Sequence, residues 1–96
     1  MNYVFEPDKD RVAVYDGEKE IGECAFTRKG DRVWAVTHTG VSPDYGGRGI
    51  AKILFKRVLE EAERAGVKIL PVCSFALAEF RKNPDYAALL ADEAAL

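Results

Sequence analysis

Val41-Ser42-Pro43-Asp44-Tyr45-Gly46-Gly47-Arg48-Gly49-Ile50-Ala51-Lys52-Ile53-Leu54 is the stretch on which the reading of this chain turns. An apolar, β-branched run arrives at Val41, a turn follows, glycines cluster, and an amphipathic helical pattern departs from Gly49. A strand feeding a glycine-rich turn that opens a helix is a recurrent way to hold a phosphate. The N–H groups of the first helical turn point at the anion, and the macrodipole adds partial positive charge. Glycine lets a ligand come close to the backbone. The turn is therefore expected to hold the pyrophosphate of a cofactor.

Working outward, the period on the C-terminal side changes from two to 3.6. From Gly49 to Ala65, Ile50, Leu54, Val58 and Ala62 recur at i+4, flanked by Ala51, Phe55 and Ala65. Lys56–Glu60 and Glu60–Arg64 are the expected pairs on the polar side, and Gly66 is placed to end the helix. Val67 to Val72 reads as a short apolar strand. Because it follows a helix, right-handed crossover sets it parallel to the strand ending at Val41. Ser74 to Lys82 reads as a helix, broken at Asn83-Pro84. Asp85 is expected to cap a last helix running from Tyr86 to Leu90 and beyond.

On the N-terminal side, Arg32 to Val41 is a strand rich in β-branched residues. Lys29-Gly30-Asp31 turns the chain back into the strand Ile21 to Thr27, with Cys24 and Phe26 on one face and Ile21, Glu23 and Ala25 on the other. Asp16-Gly17 is a hairpin signal joining that strand to Arg11–Tyr15. Tyr3 to Phe5 reads as a short strand or a lead-in. The expectation is an α+β fold: a three-stranded antiparallel meander, a parallel fourth strand, the helix after the glycine turn and short C-terminal helices.

Composition bounds the rest. A chain of 96 residues with 48% hydrophobic and 31% charged residues is read as one domain, residues 1–96, with a packed core. No apolar run approaches the roughly 20 residues of a membrane span, and Met1–Glu6 lacks a signal-peptide pattern, so a cytoplasmic protein with no membrane partner is expected. Cys24 and Cys73 make neither a disulfide framework nor a metal site, and one histidine excludes a multi-histidine centre. The net charge of −2 is uneven: residues 47–82 carry +4 and the remainder −6. A locally basic half beside a phosphate turn suits a small polyanionic ligand.

Ligands in such sheets bind beyond the carboxyl ends of the parallel strands, where connections diverge. Two strands end there, at His38-Thr39-Gly40-Val41 and at Val72-Cys73-Ser74. Cys73 at a helix N-terminus is where reactive thiolates are made; the alternative is a small buried hydrophobe. Cys24 and Trp34 read as core. Alternation puts Trp34, Val36 and His38 on one face, leaving His38 either packed or catalytic, while Thr39 is near enough to supply a hydroxyl. Arg48 lies inside the glycine turn and is expected at the phosphates; the alternative is a side chain pointing into water.

These residues resemble a family. Gly46-Gly47-Arg48-Gly49-Ile50-Ala51 is similar to motif A of the GNAT superfamily of acetyl-CoA-dependent N-acetyltransferases, [Arg/Gln]-x-x-Gly-x-[Gly/Ala], with Gly46 in place of the usual Arg or Gln. His38-Thr39-x-Val41, Pro71-x-Cys73-Ser74-Phe75 and Asn83-Pro84-Asp85-Tyr86, in that order, resemble the minimal GNAT-like subfamily of about a hundred residues. The resemblance runs from Arg11 to Leu90. It implies acetyl transfer from acetyl-CoA to a primary amine, with the cofactor held at Val41, Gly46, Gly47, Arg48, Gly49, Ile50, Ala51 and Ser74. It further implies catalytic roles for Cys73 and His38, and a place for Thr39 at the acceptor. The implied oligomeric state is a monomer or weak homodimer.

Two other classes compete. A non-catalytic module that binds CoA or an acyl-CoA fits a chain with little material for an acceptor pocket. Nucleic-acid binding is raised by Gly46-Gly47-Arg48-Gly49, which satisfies the GxxG loop of KH domains. There the loop joins two helices, whereas here a strand and Pro43 precede it, and the acidic balance also opposes that reading.

Overall fold

The computed structural model describes residues 1–92. One five-stranded sheet carries its strands in chain order. These are β1 (Asn2–Glu6), β2 (Arg11–Asp16), β3 (Lys19–Lys29), β4 (Val33–Val41) and β5 (Lys68–Pro71). The first four form an antiparallel meander, and β5 lies parallel to β4. The crossover between β4 and β5 is α1 (Ile50–Ala65), and α2 (Ser74–Lys82) follows β5. Tyr3–Phe5 is thus part of a full strand, paired from Asn2↔Tyr15 to Glu6↔Arg11, so the meander has four strands and the parallel strand is the fifth.

The apolar stripe of α1 covers one face of the sheet. Leu54, Phe55, Val58 and Ala62 are fully buried and pack with Val12, Val14, Cys24, Phe26, Trp34 and Val36. Trp34 stacks on Phe26 at 4.1 Å between ring centroids. Phe55 is the hub toward the C-terminus: Phe75, Phe80 and Tyr86 all lie 5.8–6.1 Å from its ring. The shortest dimension of the molecule, 18 Å, is that of one sheet under one helical layer. Gly66, at φ +72°, ends α1 with its N–H directed to the carbonyls of Ala62 and Glu63. On the polar side of α1 the ion pairs centre on Glu61, which takes Arg57 and Arg64, rather than on Glu60.

Three further expectations change. Ile21 does not share a face with Glu23 and Ala25. Val14 pairs Gly22 and Tyr15 pairs Glu20, so Ile21 is a bulge residue, and the extra residue turns its side chain into the core with Cys24. The strand expected over Val67–Val72 is trimmed to Lys68–Pro71, the part that finds β4 partners before proline removes a donor. The last helix is a 3-10 turn over Pro84–Leu89, with Asn83 rather than Asp85 at its cap and no side-chain capping bond. Its chain then bridges to β5 through Ile69↔Leu90, and continuation past residue 92 lies outside the described residues. No helix is long and apolar enough to cross a membrane.

Candidate active site

β4 runs beside β5 only as far as Val36↔Pro71. There the Val36 carbonyl accepts from both Val72 N and Cys73 N, each at 3.0 Å, and the two strands part. The parting coincides with a second bulge. Ala25 pairs His38 while Phe26 pairs Val36, leaving Thr37 with no opposite number on β3. A single surplus residue in one strand bends it and reverses which face each later side chain takes. From Thr37 onward β4 therefore presents a free edge, and the opening it borders begins at Val36 and Cys73.

The bulge also decides which predicted residues meet. Alternation without it would put His38 with Trp34 and Val36. With it, Thr39 takes the helix-covered face, opposite Cys24, and His38 takes the other face, opposite Ala25. The His38 side chain is 61% exposed, and its Nε2 lies 3.8 Å from Glu23 Oε2. It lies across Gly40, where a Cβ would come within 2.9 Å of Nε2. Glu23 belongs to a group in which Arg11 donates to Glu6, Glu20 and Glu23. That threefold pairing holds the guanidinium charged, and bonds from Tyr15 and Arg11 hold the Glu6 carboxyl below its ordinary range. The structure thus brings Thr39 and Cys73 together and leaves His38 on the opposite face of the same strand.

Cys73 is the N-cap of α2, with extended backbone, and its Sγ accepts from Ala76 N at 3.4 Å. Thr39 Oγ1 stands 3.9 Å from Cys73 Sγ and 3.3 Å from Cys24 Sγ. Cys24 is wholly buried, and burial pushes its thiol up to about 12. It stays protonated at neutral pH and inert, whereas Cys73 is part-exposed at the opening.

The glycine turn borders the other end of the free edge. After a 3-10 turn over Pro43–Tyr45, Gly47 (φ +77°) and Gly49 (φ +74°) are both left-handed, with Arg48 between them. Gly49 is the N-cap of α1 and has no side chain to offer its amides. The amides of the first helical turn therefore face a cavity of about 230 Å³ bordered by the turn, Val41 and Phe75. Arg48 lies over the Tyr45 ring at 5.2 Å, and the Tyr45 hydroxyl donates to Asp16 at 2.6 Å, anchoring the turn to the β2–β3 hairpin. Of the predicted cofactor residues, Val41 and Gly46 to Ala51 all line this cavity; Ser74 is exposed at the start of α2 and does not. Tyr45, Lys52 and Phe75 line it as well. An aromatic one residue before the glycines and a lysine within the first turn of the helix were the signals for the first two.

Val41 has a further property. Ser42 N donates to Ile21 O, and successive amides along an antiparallel strand point to opposite sides. The Val41 amide is accordingly directed away from β3, toward the opening.

A mixed sheet that splays beside a helix opened by left-handed glycines is the GNAT fold. The family model for GCN5-related N-acetyltransferases matches residues 11–89, and the chain belongs to that family. Among solved structures, a GCN5-like protein from Staphylococcus aureus is 27% identical, with a TM-score of 0.75 over 94% of this chain and 87% of that one. A Trypanosoma brucei acetyltransferase shares the fold at 19% identity and TM-score 0.57, over 91% of this chain and 67% of its own. A Mycobacterium tuberculosis protein solved in complex with CoA does so at 17% identity and TM-score 0.59, over 75% of this chain and 47% of its own. No curated protein matches the sequence significantly.

Proposed function

We propose that this chain transfers an acetyl group from acetyl-CoA to a primary amine of a small molecule or protein. The observation that carries the reading is the continuity of the glycine-turn cavity with the free edge of β4, with Cys73 at the far end. The amides of Gly47 to Ala51 hold the pyrophosphate, and Arg48 adds its charge beside them. Pantetheine lies along β4 as an added strand, bonding to the Val41 backbone. The Val41 amide, directed at the opening, polarises the thioester carbonyl and stabilises the oxyanion; one such donor lowers the barrier by about 3 kcal/mol in measured cases.

Cys73 then serves at the thioester, either as a transient acyl acceptor or as a proton carrier. In the first role its thiolate attacks the carbonyl, the CoA thiolate leaves, and the amine later takes the acyl group from sulfur. The amine must be neutral to attack, and its proton goes to His38, for an amine arriving on the exposed face beside Glu23, or to water. Thr39 borders the opening on the other face. Calorimetry with acetyl-CoA tests the reading, and absence of binding at millimolar concentration defeats it. Mass spectrometry after incubation separates the two roles of Cys73: an acetyl adduct that disappears in Cys73→Ala marks the covalent route.

One observation favours a second reading, a non-catalytic CoA or acyl-CoA sensor. Both helices pack against the same core, so the face carrying His38 has no helix among the described residues to wall an acceptor pocket. That reading expects tight binding with no turnover across a broad panel of amines.

A further inference from the structure

Three groups converge on the sulfur chemistry of this site, and only one of them is Cys73. Thr39 stands between two sulfurs, and its single proton can serve only one of them. The direction follows from the partners. Cys24 is fully buried and keeps its proton, so its S–H is a weak donor with Thr39 Oγ1 as its acceptor at 3.3 Å. If Thr39 donated to Cys24 instead, it could not also donate to Cys73, and one sulfur bond would be made where the other arrangement makes two. The hydroxyl proton is therefore free for Cys73 Sγ, 3.9 Å away, a separation still within reach of a large sulfur acceptor. The Ala76 amide can only donate, and it approaches the same sulfur from α2 at 3.4 Å.

We propose that Thr39 is a positioning residue for Cys73: its hydroxyl donates to the Cys73 sulfur, which it holds between β4 and the first turn of α2. The two donors come from separate elements, so the sulfur is fixed at the point where β4 and β5 part. Both stabilise negative charge on it. The Thr37 bulge makes this possible, because an unbulged β4 would turn Thr39 to the other face and leave Cys73 with the Ala76 amide alone. The proposal rests on the reading of Cys73 as the residue at the thioester, but its test does not need the cofactor.

The test is the pH–rate profile of Cys73 alkylation by iodoacetamide, located by peptide mass spectrometry, in wild type, Thr39→Val and Thr39→Ser. Valine keeps the shape and removes the hydroxyl; serine restores it. The expected result is that Thr39→Val slows alkylation at pH 7 by about three- to tenfold. Its profile moves to higher pH, and Thr39→Ser stays within about twofold of wild type. A Thr39→Val profile that overlays wild type overturns the proposal, as does a Thr39→Ser profile as slow as that of valine. Thermal melting of each variant verifies the fold, and Thr39→Ala, which only removes atoms, makes the same comparison if valine disturbs the sheet. Acetyl-CoA calorimetry on the same samples keeps the two readings apart: failure of wild type to bind removes the functional reading, while the alkylation profiles still decide the part played by Thr39.

Discussion

Gly49 offers the sharpest test of the glycine turn as an anion cradle. Its φ is +74°, and a Cβ built there meets nothing within 4 Å. Substitution therefore introduces no clash within the protein, and its cost is conformational. An L residue in the left-handed region is disfavoured by roughly 1–2 kcal/mol, less for Asn, whose side chain bonds locally, and more for a β-branched residue. Where that cost falls depends on what holds the turn. Ile50, next in the chain, is anchored in the core, and Ile53 N already donates to the Gly49 carbonyl. Gly46, Gly47 and Arg48 are exposed. The turn, not the helix, gives way, and the bound ligand must restore it. The penalty then appears as lost affinity of about five- to thirtyfold, because 1.4 kcal/mol is a factor of ten. The assay is calorimetric titration of CoA into wild type, Gly49→Asn, Gly49→Ala and Gly49→Val. All three variants share a Cβ, so any contact of that atom with the ligand cancels in the ranking. The expected order of affinity is Gly, Asn, Ala, Val, with melting temperatures little changed. Equal Kd values for Asn and Val would refute the reasoning, since strain and not bulk is claimed to matter.

Phe55→Ala removes the ring on which Phe75, Phe80 and Tyr86 converge. A loss of about 3–5 kcal/mol in denaturant unfolding is expected, and a loss under about 1 kcal/mol would show that the C-terminal segment does not depend on it. Burial raises Cys24 from an ordinary value of 9.0 to about 12. A raised folded value means that its contribution is complete below pH 9 and is lost as pH climbs toward 12, so Cys24→Ala flattens the alkaline limb of the stability profile. Glu6 behaves in the opposite sense. Its bonds from Tyr15 and Arg11 lower it from 4.5, so its contribution is present above that pH and lost as acid protonates it in the folded state. Glu6→Gln is expected to make unfolding less acid-sensitive, read by circular dichroism from pH 5 to pH 2; an unchanged acid limb counts against it.

Much of this architecture was legible in the residues. The stripe of Ile50, Leu54, Val58 and Ala62, the glycine that ends α1, and the crossover that makes β5 parallel all follow from periodicity and handedness. The cradle was legible because glycine clusters have a backbone reason. What alternation misassigned lies at the two bulges. A bulge adds one residue without adding a sequence mark, since Ile21 and Thr37 are ordinary strand formers, and every side chain beyond it is assigned to the wrong face. His38 and Thr39 exchange places for that reason alone. The pairings of Thr39 with the two sulfurs join β3, β4 and α2, and local pattern carries no signal for contacts of such long range.

The Thr37 bulge makes the site depend on the register of β4 as well as on the identities of its residues. If the same residues paired without the bulge, Thr37 would lie opposite Ala25 and every later position would slide by one. His38 would fall opposite Cys24 on the helix side, Thr39 would fall opposite Glu23 away from the sulfurs, and the Val41 amide would turn from the opening to β3. Deleting Thr37 has no such effect, because His38 then follows Val36 directly and still meets Ala25, and Thr39 still meets Cys24. The surplus threonine is a spacer whose side chain does nothing at the site, and the bearing of every residue after it depends on its standing outside the ladder.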